Sequence, residues 1–541
     1  MDGGFAQRLR QRGLGFAVLF TFLFIAHAPL LRLPYFWDEA GYFVPAAHDL
    51  LLTGSLIPHS TLSNAHPPLV MLWLAFWWKF SAFTPAVTRT AMLLVAAFAL
   101  LGLWRLACDV AGRQTAIATV LCTALYPVFF AQSSLAHLDM AAAAFTLWGL
   151  TMYVERRTIA TIAFFCLAPL AKETAIIAPL ALVAWELLCP IVSSAGRRQG
   201  KSLCLYSRTL GKTGSLLLCL VPLALWFLYH HHRTGFYLGN PEYLRYNLQA
   251  TANPLRIALA LLLRIWQVFG YLNLFLLTLP AAAVLLRPPL QEADGTVRPR
   301  IAVSVQLVFA VVVLAYVVAL SVAGGAVLAR YMLPVVPLVI LLCVSTLCRR
   351  VRHWTWWIGC VCASFVVQLL VPPPYRIAPE DTLLYRDYVV LHKSVADELS
   401  KKYPQARVLT AWPGSDELTW PFLGYVKQPL PVARIENFSS EQIEGAAGAT
   451  DQFEVAFLFT TKWEPPHPLL RDLFLGKGVH ERFFDYHEDI DPYVAANLLG
   501  GRVVRYLNRD NEWVALIAIE KVEDAKYEGN PEPRGVPHAG R

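Results

Sequence analysis

Long apolar stretches recur along the first two thirds of this 541-residue sequence and constrain its fold more than any other feature. About 20 mostly apolar residues can cross the hydrocarbon core of a bilayer as an α-helix, which satisfies its own backbone hydrogen bonds. Only 16% of the residues are charged, whereas a soluble globular chain carries about 25%. We therefore predict an α-helical protein that crosses a membrane many times.

Eleven stretches fit this description. One further segment, 67–83, is short and rich in tryptophan, so we interpret it as a helix lying in the membrane interface. The stretch 257–286 is long and contains Arg264, and it is either one tilted helix or an interfacial piece followed by a span. The predicted spans are 14–31, 89–111, 115–133, 139–154, 158–171, 173–190, 214–230, 257–286, 302–323, 331–348 and 353–371.

The distribution of lysine and arginine predicts the orientation of these spans. With a cytoplasmic N-terminus, every predicted inside loop carries Lys or Arg, and the outside loops are poorer in both for their length. The positive-inside rule therefore places the N-terminus in the cytoplasm and, after an odd number of spans, the C-terminus outside. The basic N-terminus resembles a signal peptide, but no small-residue cleavage site follows, so we expect an uncleaved first span.

The composition changes after Pro372 to that of a soluble domain. Strand-like apolar runs at 406–412, 453–459 and 513–519 alternate with amphipathic segments, which is typical of a small α/β domain. The short loops and the lack of cysteine after Cys362 favour a bacterial inner membrane over the endoplasmic reticulum. The predicted regions are a transmembrane domain over 1–371 with its first outside loop at 32–88, an outside-facing (periplasmic) α/β domain over 372–521, and a disordered tail over 522–541.

Ionisable residues gather at the outside ends of the predicted spans. Each has an ordinary alternative explanation: a solvated loop for the first two carboxylates, a loop or capping role for His66, a helix cap for Asp139, and an anchor to lipid headgroups for Arg330. Charged groups at membrane depth are nevertheless costly and therefore candidates for function. The clustered residues are Asp38, Glu39, His66, His137, Asp139, Lys172, Glu173, Arg330 and Tyr331.

This combination of residue types suits transfer of a group from a phosphate. A carboxylate can act as general base on an acceptor hydroxyl or amine, and lysine and arginine can neutralise the charge that develops on a departing phosphate. A phosphate leaves without a strong proton donor, so one carboxylate suffices. No second carboxylate can be placed as the partner that many retaining glycosidases use, and inversion is expected.

The order of the motifs resembles the GT-C class of membrane glycosyltransferases, and most of all the protein O-mannosyltransferases and the aminoarabinose transferase that acts on lipid A. The resemblance covers roughly residues 10–375. It depends on Asp38-Glu39, His66-Pro67-Pro68-Leu69, His137-Leu138-Asp139, Lys172-Glu173 and Arg330-Tyr331 followed by Pro334 and Pro337.

The resemblance implies a polyprenyl-phosphate sugar as donor and a lipid, glycan or protein as acceptor at the outer (periplasmic) face. Asp38 would be the base, with Glu39 as second choice or as a ligand of metal or substrate. Lys172 and Arg330 would grip the donor phosphate, with Tyr331 nearby and Glu173 beside the substrate. His137 and Asp139 would shape the pocket or help to hold a divalent cation, and metal use varies in this class. His66 matches the mannosyltransferases, since the aminoarabinose branch has lysine there, but the trefoil insertion that mannosyltransferases often carry is not seen.

Two other functions fit part of the sequence. A transporter or flippase also has many spans and intramembrane charges, although its binding site lies near the bilayer midplane and its sequence often contains repeats. A non-catalytic membrane protein that binds lipid or glycan would have no use for a base at Asp38. The net charge of +8 does not call for nucleic acid, because cytoplasmic loops of membrane proteins are basic anyway.

Overall fold

The computed structural model describes residues 3–194, 211, 213–241, 243–244, 253–292, 295–465, 477–484 and 487–519. The predicted disordered tail at 522–541 and most of the basic loop at 195–212 lie outside the described residues. The chain forms two compact units. The first comprises Met1–Val390, Phe422–Gly424 and Lys462–Tyr486, and the second comprises Leu391–Pro421, Tyr425–Thr461 and His487–Arg541.

The first unit is built from α-helices, as the sequence predicts. In chain order its described helices are α1 (Gly3–His27), α2 (Val44–Thr53), α3 (Leu69–Phe80), α4 (Pro85–Ala111), α5 (Arg113–Leu125), α6 (Pro127–Gln132), α7 (Leu138–Val154), α8 (Thr158–Ala171), α9 (Ile177–Ser194), α10 (Leu220–Thr234), α11 (Pro254–Phe269), α12 (Phe275–Ala283), α13 (Val303–Val322), α14 (Val336–Arg350), α15 (Trp354–Leu370) and a late helix at Lys477–Phe483. A further helix, Leu384–Lys402, begins in the first unit and continues into the second.

Five of the described helical segments are long and apolar enough to cross a membrane, and the protein is therefore an integral membrane protein. Shorter apolar helices cover several of the other predicted spans, and the number eleven stays a prediction. The five long segments are Gly13–Leu30, Pro85–Ala111, Thr213–Thr234, Pro254–Asn273 and Val303–Val322.

Two predicted spans are interrupted, one by a backbone conformation that its sequence does not predict and the other by a proline. The stretch 257–286 divides into α11 and α12 because Leu272 adopts a left-handed conformation (φ 49°, ψ 53°). The stretch 115–133 divides at Tyr126-Pro127, since proline disfavours helical geometry in the residue before it. The tryptophan-rich segment 67–83 does form a helix, α3, with Pro68 at its N-cap.

Close packing of three helices fixes the positions from which the candidate site is built. Helix α7 packs against both α4 and α8. At Gly149 of α7, an added Cβ would lie 2.6 Å from the ring of Phe165, and at Gly102 of α4 it would lie 2.9 Å from the ring of Trp148. Glycine is required at both places because a methyl group would push these helices apart, and with them the polar residues at their ends.

The second unit contains a five-stranded mixed sheet in the order β2-β1-β3-β5-β4, which confirms the small C-terminal sheet. The strands are β1 (Val408–Ala411), β2 (Val432–Ile435), β3 (Val455–Phe459), β4 (Gly501–Arg509) and β5 (Glu512–Ile519). Strand β1 pairs in parallel with β2 and β3, whereas β5 pairs antiparallel with β3 and β4. The three predicted strands are β1, β3 and β5. Strands β2 and β4 lie at the edges, are more exposed, and lack a continuous apolar run.

Candidate active site

The two adjacent carboxylates after α1 have different environments. Asp38 precedes a short π-helix, Glu39–Phe43, and 28% of its side chain is exposed. The side chain of Glu39 is completely buried. The sequence presents them as equivalent neighbours, whereas the structure leaves only the first partly accessible.

Glu39 is held by a buried ion pair and by backbone donors. Arg89, near the start of α4, is also fully buried and donates through Nη2 to Glu39 Oε2 at 3.3 Å. The backbone N–H groups of Phe36 and Ala136 donate to the same carboxylate at 2.9 and 2.6 Å. Arg89 in turn donates to the carbonyl of Pro34 at 2.8 Å. Glu39 therefore ties the loop after α1 to α4 and to the loop before α7.

Arg330 lies at the centre of the predicted site residues. It belongs to a short 3₁₀-helix before α14, and its side chain is buried. Its Nη2 donates to Asp38 Oδ2, its Nε lies 3.6 Å from Asp139 Oδ2, and its Nη1 lies 2.8 Å from His137 Nδ1. Its Nη1 also lies 3.6 Å from Glu380 Oε1. We call these four residues and Arg330 the Arg330 cluster.

Lys172 joins the Arg330 cluster through Asp139. Its Nζ lies 2.6 Å from Asp139 Oδ1, and both side chains are buried. The same ammonium lies 3.6 Å from the centre of the Tyr331 ring, where a cation is stabilised by the face of the aromatic system. The end of α8 and the 3₁₀-helix before α14 thus bring a second cation to the cluster.

His66 and Glu173 form a neighbouring pair. His66 Nδ1 lies 3.1 Å from Glu173 Oε2, and the His66 ring contacts those of Tyr42 and Tyr243. Burial alone would raise the pKa of Glu173, but His66 and Lys172 outweigh it and hold that pKa at about 2. This carboxylate is therefore ionised throughout the physiological range.

The environment of His137 favours its neutral form. Burial lowers its pKa, and the charges of Arg330 and Lys172 lower it further. Its Nδ1 lies 2.8 Å from Gln132 Oε1, an acceptor, and a neutral imidazole avoids repulsion by the neighbouring Arg330.

Arg264 is a cation of the candidate site that was not predicted from the sequence as a site residue. A single charge within an apolar stretch is nevertheless an indication of function. Its guanidinium is fully buried and lies 5.4 Å from the centre of the Tyr331 ring. In the described part of the chain it donates to Gln267 Oε1 and to the carbonyls of Ala326 and Leu328, and its Nε has no hydrogen-bond partner. The acceptors in these hydrogen bonds of Arg264 are therefore all neutral oxygens.

Glu380 and Asp381 were also missed, because they follow the last predicted span and gave no signal of membrane depth. Both are buried in a short 3₁₀-helix. Burial and the neighbouring Glu380 raise the pKa of Asp381 to about 7, and Tyr271 donates to it at 2.6 Å. Burial also raises the pKa of Glu380, with Arg330 acting in the opposite direction.

The carboxylates of the Arg330 cluster converge on a guanidinium. Within the described residues, no group of three or more His, Cys, Asp or Glu side chains is arranged to hold a metal ion. Asp38, Asp139 and Glu380 approach the nitrogens of Arg330, and this donor set does not fit a divalent cation in the arrangement seen.

The chain has the GT-C fold, as the order of the motifs predicted. The crystal structure of ArnT from Cupriavidus metallidurans bound to undecaprenyl phosphate matches 95% of this chain and 98% of its own, with a TM-score of 0.51 and 14% identity. The apo structure of that protein matches with a TM-score of 0.51 and 15% identity over 92% and 98%.

An oligosaccharyltransferase from Archaeoglobus fulgidus in the apo form is more distant, with a TM-score of 0.41 and 10% identity over 83% of this chain and 69% of its own. No protein-family model and no curated protein sequence matches the chain. At such identities the likeness concerns the fold alone.

Proposed function

We propose that the protein is a membrane glycosyltransferase that moves a sugar from a polyprenyl-phosphate donor to a lipid, glycan or protein acceptor at the outer (periplasmic) face of a bacterial inner membrane. The observation that carries this proposal is the position of Arg330, which joins Asp38 to the pair formed by Asp139 and Lys172. A base and cations suited to phosphate are thereby brought together from distant parts of the sequence. A GT-C fold neighbour determined with undecaprenyl phosphate supports the choice of donor.

Asp38 is the best candidate for the base. Its side chain is 28% exposed, whereas those of Glu39 and Asp139 are 0% and 5% exposed and are held by Arg89 and Lys172. A base must reach the proton that it removes. Arg330 would orient the Asp38 carboxylate toward the acceptor, and Glu39 would position the loop that carries it.

Lys172 and Arg264 are the best candidates for holding the donor phosphate. Both approach the ring of Tyr331, at 3.6 and 5.4 Å from its centre. The contacts of Arg264 are neutral oxygens, so an anion placed there would compensate a buried charge. Arg330 already faces three carboxylates. We therefore assign to Arg330 the role of holding these carboxylates in place. A contact with the donor phosphate would be an additional role.

The reaction follows from these roles. The acceptor oxygen or nitrogen attacks the anomeric carbon as Asp38 removes its proton, and the bond from that carbon to the phosphate oxygen breaks. The polyprenyl phosphate leaves with the electron pair, and Lys172 and Arg264 stabilise its charge. A single displacement of this kind inverts the anomeric configuration. The remaining predicted residues, His66, His137 and Glu173, would shape the pocket for the sugar.

The test uses the full-length protein, purified and reconstituted in lipid nanodiscs. A panel of radiolabelled polyprenyl-phosphate sugars is incubated with it and a bacterial membrane extract, and labelled products are identified by mass spectrometry. Asp38→Asn should abolish transfer. Asp397→Asn, which changes an exposed aspartate of the second unit, is the matched control and should transfer at the wild-type rate.

The alternatives give different results in the same system. A transporter or flippase would move the labelled lipid across a proteoliposome membrane without forming a covalent product. A protein that only binds the lipid would show saturable binding with neither product nor translocation. A correctly inserted Asp38→Asn variant with full transferase activity would refute the assignment of the base.

A further inference from the structure

The carboxylates of the Arg330 cluster and the cations at Arg330 and the Tyr331 ring are equal in number before any donor arrives. Three carboxylates face its guanidinium, and three cations lie at the cluster or at the Tyr331 ring beside it. A polyprenyl-phosphate sugar is a phosphodiester and adds one negative charge. The carboxylates are Asp38, Asp139 and Glu380, and the cations are Lys172, Arg264 and Arg330.

An uncompensated charge in a buried site is costly, and a titratable group usually changes its protonation state instead. The arrival of the phosphate therefore favours proton uptake by one of the three carboxylates. Which one depends on how well each carboxylate is already compensated.

Glu380 is the least compensated of the three. Asp139 is held by Lys172 at 2.6 Å and also faces Arg330. Asp38 accepts a direct hydrogen bond from Arg330 and is partly exposed to solvent. Glu380 is buried and reaches Arg330 only at 3.6 Å.

The charged groups that act on Glu380 are Arg330 before α14, Asp38 after α1 and Asp139 on α7. Arg330 favours the charged form of Glu380, whereas Asp38 and Asp139 oppose it. The pKa of the adjacent Asp381 is itself raised to about 7. Burial already raises the pKa of Glu380 in the absence of donor.

We infer that the protein binds the phosphodiester donor together with one proton, and that Glu380 holds this proton. The inference rests on the function proposed above. The free site holds Glu380 as a carboxylate near Arg330. The bound site holds it as a neutral carboxylic acid, so that Arg330 can turn its positive charge toward the donor phosphate. Glu380 is thus a positioning residue, which acts on the donor through Arg330.

Proton uptake makes donor affinity depend on pH in a defined direction. Binding that consumes a proton weakens as protons become scarce, by up to roughly tenfold per pH unit. The weakening occurs at pH values above the pKa of Glu380 in the free protein and below its pKa in the complex. A phosphodiester has no second ionisation near neutral pH, unlike a phosphate monoester, so it does not contribute to this dependence.

The experiment is isothermal titration calorimetry of the full-length protein in nanodiscs with a short-chain polyprenyl-phosphate hexose. At one pH, the titration is repeated in MOPS, HEPES and Tris, whose heats of ionisation differ. The slope of observed enthalpy against buffer ionisation enthalpy gives the number of protons taken up. We expect roughly one proton for the wild type.

Two variants assign the proton. Glu380→Gln should bind the donor with a slope near zero and an affinity that no longer depends on pH. Glu441→Gln is the matched control, because it makes the same chemical change at an exposed glutamate of the second unit, and it should still take up a proton.

The outcomes separate this inference from the proposed function. Donor binding by the wild type with a slope of zero overturns the inference and leaves the donor assignment standing. An undiminished slope in Glu380→Gln overturns the role of Glu380. Absence of donor binding by the wild type overturns the donor assignment and this inference together. If Glu380→Gln does not fold, the wild-type slope still decides whether a proton is taken up, and Glu380→Asp, which retains a carboxyl, should restore both folding and uptake.

Discussion

The adjacent residues Asp38 and Glu39 should respond to the same substitution in opposite ways. Each carboxylate oxygen of Glu39 accepts one hydrogen bond from Arg89 and one from a backbone N–H group, that of Ala136 for Oε1 and that of Phe36 for Oε2. In Glu39→Gln, an NH₂ group replaces one of these two oxygens. Because both oxygens face hydrogen-bond donors, the NH₂ group faces a donor in either orientation of the amide. The variant therefore loses part of its hydrogen bonding and removes the negative charge that Glu39 places beside the buried Arg89.

Breaking a buried ion pair from one side costs about 3–5 kcal/mol. We therefore expect Glu39→Gln to lower the free energy of unfolding by an amount of this order. Asp38 is partly exposed, so Asp38→Asn should change stability by less than about 1 kcal/mol while it abolishes transfer. The assay is equilibrium unfolding in mixed micelles of dodecyl maltoside and SDS, followed by circular dichroism, with transferase activity measured on the same preparations.

A double-mutant cycle tests the cause of the loss. Arg89→Met and Glu39→Met should each lower the free energy of unfolding by a similar amount. The double variant, which carries both changes, should lose less free energy of unfolding than the sum of the two single variants. A Glu39→Gln protein that unfolds like the wild type but has lost transfer would refute the reasoning, since Glu39 would then be acting on the substrate.

Three further predictions concern other parts of the first unit. Arg264→Gln should weaken binding of the polyprenyl-phosphate sugar by roughly 10- to 100-fold, which is the range for loss of a charged hydrogen-bond donor. In the same binding assay, Arg113→Gln, which changes an exposed arginine, serves as the control. The pKa of Asp381 is about 7 in the folded protein and about 4 in the unfolded chain. The folded state therefore binds the proton more tightly, and the free energy of unfolding should fall as the pH rises between these two values. Asp381→Asn should flatten this part of the plot of unfolding free energy against pH. Gly149→Ala should destabilise the protein by about 1–3 kcal/mol in the same unfolding assay, because its methyl group would collide with the Phe165 ring, and wild-type stability would contradict the packing described.

The sequence was informative about the elements that carry the site. Apolar stretches predicted the helices of the first unit, and buried apolar runs predicted the strands β1, β3 and β5. The motifs around Asp38, Asp139, Lys172 and Arg330 predicted which helix ends carry polar residues. Such patterns are local, since they depend on the hydropathy and spacing of neighbouring residues.

Contacts between distant segments could not be predicted in this way. Leu272 gave no signal that it would break the stretch 257–286, because leucine rarely adopts a left-handed conformation unless its surroundings impose it. The edge strand β4 alternates polar and apolar residues too irregularly to be recognised. Both features depend on what packs against the segment.

The sequence by itself determined that this is a helical membrane protein with a small α/β domain, and that carboxylates and cations follow one another in the order typical of the GT-C class. Only the tertiary structure decided what each charge does. It buried Glu39 against Arg89, left Asp38 partly exposed, and added Arg264 and Glu380 to the site. The physical reason is that the protonation and reach of a charged group depend on burial and on partners far away in the chain, and neither is encoded in its immediate neighbours.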